Sequence, residues 1–284
     1  MSHQVLQRVS VLMLYGALDV DAVIAAPRAA LAALPDLAGL PLSEAELGWL
    51  AAADPRAFRT DPYRRARLLR ALLEEYPVSA ALSLGEPRAL EAFFSSRHFR
   101  GVVLGRGSSA LAFGDWLLSP LDRRPDFGYA HPGRDAVEGR TPRDACALLE
   151  RAVARARRAS APSLPAGHVA PSPAAPLATL PAGTAALYAR VRQHLGPAPV
   201  TALLTSGYRF PHATPLAAGT ELALITISDG QAVVEEPQEW LEALMTRAAG
   251  PREGWLAAAR ELGAEPGEDA DLIDDLIAQG LLIT

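Results

Sequence analysis

Over the first 160 residues apolar positions recur at the three- and four-residue spacing of helices. Val5, Leu6, Val9, Leu12 and Met13 share one face of an opening helix. Arg28 to Leu34 is rich in Ala and Leu and stops at Pro35. Ser43 with Glu46 three residues on is a capping box, and Leu47 and Leu50 follow on the same side. Asp61-Pro62 opens the next helix with proline at its first position. That helix places Leu69, Leu72, Leu73 and Tyr76 on one face and Arg64, Arg65, Arg67 and Arg70 elsewhere, and Pro77 closes it. Glu86 to Phe94, Ser109 to Leu118 and Arg143 to Arg158 complete a predicted helical bundle. Leu121 to Arg140, between the last two, is a charged loop rich in Pro and Gly, long enough to suggest a contact role.

The pattern changes at Ala159. From there to Gly183 the chain is rich in Pro, Ala and Ser, which predicts an interdomain linker or irregular edge strands, the linker being preferred. A helix over Thr184 to Leu195 and a possible strand over Val200 to Thr205 follow. Leu222 to Ser228 then alternates with period two, Asp229-Gly230 is a two-residue hairpin turn, and Gln231 to Glu235 returns as a strand stopped by Pro237. Three helical patterns close the chain, marked by Trp240, Leu241, Leu244 and Met245, by Trp255, Leu256, Ala259 and Leu262, and by Leu272, Ile273, Leu276 and Ile277. The expected fold is α+β and mainly α. A helical bundle domain spans 1–160, a linker or irregular strands 161–183, and a winged-helix-like domain with a three-stranded antiparallel sheet and three helices 184–284.

A winged helix suggests DNA, and charge argues against it here. From Glu221 onward fourteen acids face three arginines, a net charge of −11. A DNA reader draws most of its affinity from cations set against phosphates, so this surface would be repelled. The last helix carries Asp269, Asp271, Asp274 and Asp275 and no base. A polypeptide partner fits better, with a transcriptional regulator as the alternative.

Residues 1 to 220 hold 24 arginines against 18 acids, so a mildly basic body carries an acidic end. The chain has neither Lys nor Asn, which removes Schiff-base and P-loop lysines and N-glycosylation sites. Its single cysteine, Cys146, recurs with Leu149 and Val153 at helical spacing and reads as a buried core thiol in a reducing compartment. Val11 to Leu18 is interrupted by Asp19 and Asp21, and no run reaches the roughly 20 apolar residues of a membrane span, so a cytoplasmic chain is expected. The six histidines are scattered without metal-ligand spacing, and no nucleophile elbow is present. Val102 to Leu104 followed by Gly105 to Ala110 matches a strand and G-x-G-x-x-A, the pattern in which glycines admit a pyrophosphate. The strand that should follow the next helix is replaced by a polar loop, so a tight helix connection is the preferred reading.

The segment Trp49 to Ser79 contains DPRAF-x-TDPYRR-x-R followed by EEYPVS. It resembles the partner subunits of multinuclear non-haem iron-dependent oxidative enzymes, the MbnC and TglI type, and Pro181 to Gly196 (PAGTAALYARVRQHLG) has a similar flavour. The acidic end resembles the recognition element of ribosomal peptide biosynthesis, three strands followed by three helices. The resemblance implies a non-catalytic subunit that holds no cofactor, pairs as a heterodimer with an iron-bearing (β/α)8-barrel oxidase, and captures the leader of a precursor peptide. Capture would use strand addition. Its groove would lie between Val233 and Val234 on the return strand and Leu272, Ile273 and Leu276 on the last helix. Asp61, Arg64, Arg67, Arg123 and Arg124 would meet the oxidase. Neither nucleic acid nor membrane is expected as a partner.

Overall fold

The structure is a computed structural model that describes residues 2–61, 63–83, 90–119, 140–204 and 216–284. It is mainly helical, with two small three-stranded antiparallel sheets. The chain divides into two compact units, Met1–Ala130 with Leu195–Arg209 and His131–His194 with Phe210–Thr284. This division departs from the expected domains: residues 140–160 belong with the acidic end, and Leu195–Arg209 belongs with the helical body.

In the first unit α1 (Ser2–Leu14), α2 (Val20–Ala25), α3 (Pro27–Ala32) and α4 (Glu44–Ala51) precede α5 (Arg64–Glu75) and α6 (Pro77–Ser83). Next come α7 (Arg97–Gly105) and α8 (Ser109–Leu118). Short polar side chains start several of these helices by satisfying N–H groups that the first turn leaves open. Asp19 opens α2, Ser96 opens α7, and Ser43 with Glu46 forms the anticipated capping box on α4. Rings fill the core: Phe93 stands 5.1 Å from Phe113 and 5.4 Å from Phe99, both edge-on. Tyr76, at the end of α5, meets Phe113 at 5.4 Å. Such pairs add directional preference to the burial of large apolar areas.

Two local strand signals in this unit belong to helices. Val102 to Leu104 is not a strand but part of α7, which Ser96 caps and continues to Gly105. Val200 and Thr201 favour strand locally, yet Pro199 occupies the first turn of a helix, α11 (Pro199–Leu204), that packs on α5 and α6. Of the helix expected over 86–94, the described part ends in a 3-10 turn, Ala92–Ser95. The loop expected over 121–140 lies outside the described residues except for Arg140.

The second unit begins with α9 (Pro142–Ala156), capped by Thr141. Of the two readings of 161–183 the strands are found rather than the preferred linker, as β1 (His168–Pro171) and β2 (Leu177–Pro181). The helix α10 (Thr184–Leu195) follows α9 and these strands, and β3 (Thr220–Ser228) and β4 (Gln231–Glu235) come after α11. Then come α12 (Glu239–Met245), β5 (Gly250–Pro251), α13 (Arg252–Glu261), α14 (Glu268–Ala278) and β6 (Leu282–Ile283). One sheet has the order β5-β1-β6 and the other β2-β3-β4.

The β2-β3-β4 sheet has two unlike faces because side chains alternate along each strand. Ala178, Leu180, Ala223, Ile225, Ile227, Ala232 and Val234 pack with Leu149, Val153 and Ala156 of α9. On the opposite face Leu177 and Leu224 join a separate core of Leu244, Trp255, Ile273 and Leu276 from the three last helices. Among the described residues no helix is long and apolar enough to cross a membrane.

Candidate functional site

The hairpin β3-β4 closes as the period-two pattern anticipated. Asp229 and Gly230 have φ of 49° and 74°, the two positive values a tight two-residue turn requires, and Ser228 faces Gln231 across it. In such a hairpin the pair flanking the turn is hydrogen-bonded, and every second pair after it is too. Gln231, Val233 and Glu235 therefore spend their main-chain groups on Ser228, Thr226 and Leu224. Ala232 and Val234 turn their N–H and C=O outward, along the free edge of the sheet. Among the described residues no main-chain hydrogen bond reaches those groups. Arg157 Nη2 donates to the carbonyl of Gly230 at 3.2 Å and ties the hairpin tip to the end of α9.

The five residues anticipated for a peptide groove do not form one surface. Val233 is 37 % exposed on the face of β4 away from α9, whereas Val234 packs toward α9. Ile273 and Leu276 are fully buried in the other core, and Leu272 lies against it, partly buried. The correction has a simple cause. The apolar stripe of α14 is used to hold α12, α13 and β6, so a groove running from Val234 to Ile273 has no free wall on the helix side.

A cavity of about 280 Å³ does open beside α14, lined by Trp240, Leu244, Ala259, Leu262, Ala264, Glu268 and Leu272. Leu262, at the end of α13, is 42 % exposed. Sequence periodicity counted Leu262, Trp240 and Leu244 as core positions and gave no sign of a cavity. No sequence signal set Leu262, the last apolar position before Gly263, apart from the core positions beside it.

The acids of this unit divide by role. Glu221 accepts from the N–H groups of Gly183 at 2.8 Å and Ala185 at 2.6 Å, which starts α10. Arg252 pairs with Asp274 at 2.7 Å and Arg260 with Asp269 at 2.6 Å, so two of the unit's late arginines are already neutralised. Glu235, Glu236, Glu239, Glu261, Glu265, Glu268, Asp271 and Asp275 stand exposed.

In the first unit Asp61, Arg64 and Arg67 do come together. Asp61 accepts the N–H of Tyr63 at 3.1 Å, pairs with Arg67, and lies 3.9 Å from Arg64. The hydrogen bond from Arg67 is the main reason its carboxyl stays below the usual range, with Tyr63 N–H and Arg64 adding to it. Arg67 and Arg70 point outward, the latter 3.6 Å from Glu74. Arg65 differs from its neighbours: it donates to the carbonyl of Tyr15, and its guanidinium sits 5.6 Å from the centre of the Phe94 ring. Arg123 and Arg124 lie outside the described residues.

The glycines of the G-x-G-x-x-A match serve a helix junction. A side chain on Gly107 would meet Val102 Cγ2 at 2.8 Å, and Arg106 takes the left-handed conformation that ends α7. A cleft of about 550 Å³ runs along this junction between Asp36 and Asp115. Its neighbour Arg100, nearly buried, holds Asp36 at 2.7 Å and donates to the carbonyl of Ser95 at 2.7 Å. Cys146 is buried on α9, and burial first, then Glu150, pushes its thiol far up. Among the described residues no group of three or more His, Cys, Asp and Glu side chains is set to hold a metal ion.

Together these observations define an α+β protein with a hairpin-closed sheet edge that is free among the described residues, on an acidic unit. No protein-family model matches the chain, and no curated protein matches it.

Proposed function

We propose that the chain is the non-catalytic recognition subunit of a peptide-modifying oxidase. It binds a precursor peptide by strand addition to β4 and presents it to an iron-dependent partner enzyme with a barrel fold. The free edge at Ala232 and Val234 is the observation that carries the reading. Two outward N–H and two outward C=O groups give an extended peptide main-chain partners at no cost in refolding. The exposed Val233 offers a side-chain contact beside that edge.

Other features support the same role. The antiparallel sheet β2-β3-β4, interrupted in sequence by α10 and α11 and followed by α12, α13 and α14, fits a winged-helix-like recognition element. The exposed acids of α14 oppose phosphate binding and leave a polypeptide as the natural ligand. In the DPRAF-x-TDPYRR-x-R segment, which resembles the partner-subunit family, Tyr63 and the Asp61-paired Arg67 are exposed and offer contacts for the oxidase.

Co-expression with the barrel oxidase encoded nearest to this chain tests the proposal. The two are expected to co-purify, with the iron in the oxidase and peptide oxidation requiring both. Iron-dependent activity from this chain alone, or full oxidase activity without it, overturns the reading.

A further inference from the structure

We infer that the cavity between α12, α13 and α14 anchors an apolar side chain of a cationic peptide segment. The inference rests on the reading of this unit as a peptide binder, and it names the chemistry of the peptide and a second point of attachment away from β4.

Three observations carry it. The cavity holds about 280 Å³, and an apolar cavity of about 150 Å³ already accepts benzene. One large aliphatic or aromatic side chain therefore fits. Its wall is apolar, formed by Trp240, Leu244, Leu262 and Leu272, and Leu262 is left 42 % exposed at the surface. An exposed leucine bordering an open apolar cavity gains from being covered.

Among the described residues the charges on these helices are mainly acidic, with Arg247 just past α12 as an exposed cation. Glu268 lines the cavity, and Asp271 and Asp275 flank Leu272 along α14. Glu239 adjoins Trp240, Glu261 adjoins Leu262, and Glu265 adjoins Ala264, all exposed. Arg260 and Arg252, the cations of α13, are engaged by Asp269 and Asp274. An apolar seat with one carboxylate in its lining, on helices that carry an excess of exposed carboxylates, attracts a segment in which Lys or Arg brackets the apolar residue and disfavours acidic peptides and nucleic acid.

The test follows the indole N–H signal of Trp240 by NMR in the full chain. The probes are a short synthetic peptide with several Lys around one central Leu, its counterpart with Ser for the Leu, and its counterpart with Glu for every Lys. The Lys and Leu peptide is expected to shift the Trp240 signal. Replacing its Leu by Ser should weaken binding about tenfold or more, the share expected from burying one leucine. The Glu counterpart should leave the signal in place. Leu262→Asp should weaken the Lys and Leu peptide by a similar factor. Glu268→Arg, on an exposed first turn, should weaken it and strengthen the Glu counterpart. An unmoved Trp240 signal, or equal affinity for the Lys and Glu peptides, overturns the inference.

Ala232→Pro separates this site from the β4 edge, because it removes an outward N–H that the hairpin does not use. Binding lost in Ala232→Pro and kept in Leu262→Asp leaves strand addition standing and removes the cavity. Binding kept in Ala232→Pro and lost in Leu262→Asp keeps the cavity and removes strand addition.

Discussion

Arg260 Nη2, at the end of α13, lies 2.6 Å from Oδ2 of Asp269 in the first turn of α14. Asp269 is only 2 % exposed, and its Oδ1 accepts the N–H of Gly267 at 2.9 Å. The acid therefore ties the end of α13 to the start of α14 across the turn between them. The hydrogen bond from Gly267 and then the pairing with Arg260 hold its carboxyl below the usual range. The folded chain thus keeps Asp269 charged to lower pH than the unfolded chain does. Its contribution is complete above the unfolded carboxyl value of about 3.9 and disappears as pH falls through the lower folded value. Urea titrations should show a midpoint that Asp269→Asn lowers at pH 7. The variant should also lose less stability than the parent as the pH drops below about 4.

Phe93 is the centre of the ring cluster in the first unit, with Phe99, Phe113 and Trp116 within 5.8 Å between ring centres. Phe93→Ala should cost about 3–5 kcal/mol, the usual price of an unfilled aromatic site. Trp49, which is 57 % exposed and stacks on His3, is the control. Its replacement by Ala should stay within about 0.5 kcal/mol in the same chemical denaturation series.

The turn between β3 and β4 depends on backbone that only a few residues tolerate. Gly230 sits at φ 74°, so Gly230→Ala should destabilise the protein by about 1 kcal/mol through the left-handed penalty. Asp229, at φ 49°, already bears that penalty in part. Asp229→Gly should leave the thermal midpoint unchanged or raise it.

Much of this hairpin was legible from sequence because its information is local. A period-two run, a turn dipeptide with positive φ and a proline stop all lie within sixteen residues of one another. The same holds for the Ser43 and Glu46 box and for the face of α5 that ends at Tyr76. What escaped was set by distant pairing. Leu177–Pro181 is a strand because it pairs with Thr220–Leu224, some forty residues on, and its own composition reads as a linker. Its burial does not alternate, so no period announces it. The groove residues failed for a related reason. A helix stripe such as Leu272, Ile273 and Leu276 shows that a face is covered, and the pattern does not say whether this chain or a ligand covers it.

Cys146 illustrates a chemical consequence of such burial. Its thiol has no exposed surface, and burial raises its pKa, so little thiolate forms at neutral pH. A disulfide reagent such as DTNB should leave the native protein unmodified over the time in which the urea-unfolded chain reacts completely. Rapid labelling of the native protein would place Cys146 at the surface.

Strand addition to β4 is the central claim, and amide hydrogen exchange at Ala232 and Val234 tests it most directly. A leader peptide from the precursor that the proposed function implies is added to the full chain at saturating concentration. The account predicts that these two outward amides, fast in the free protein, become slow in the complex while Val233, already bonded to β3, changes little. Saturating peptide that leaves both amides as fast as before contradicts it.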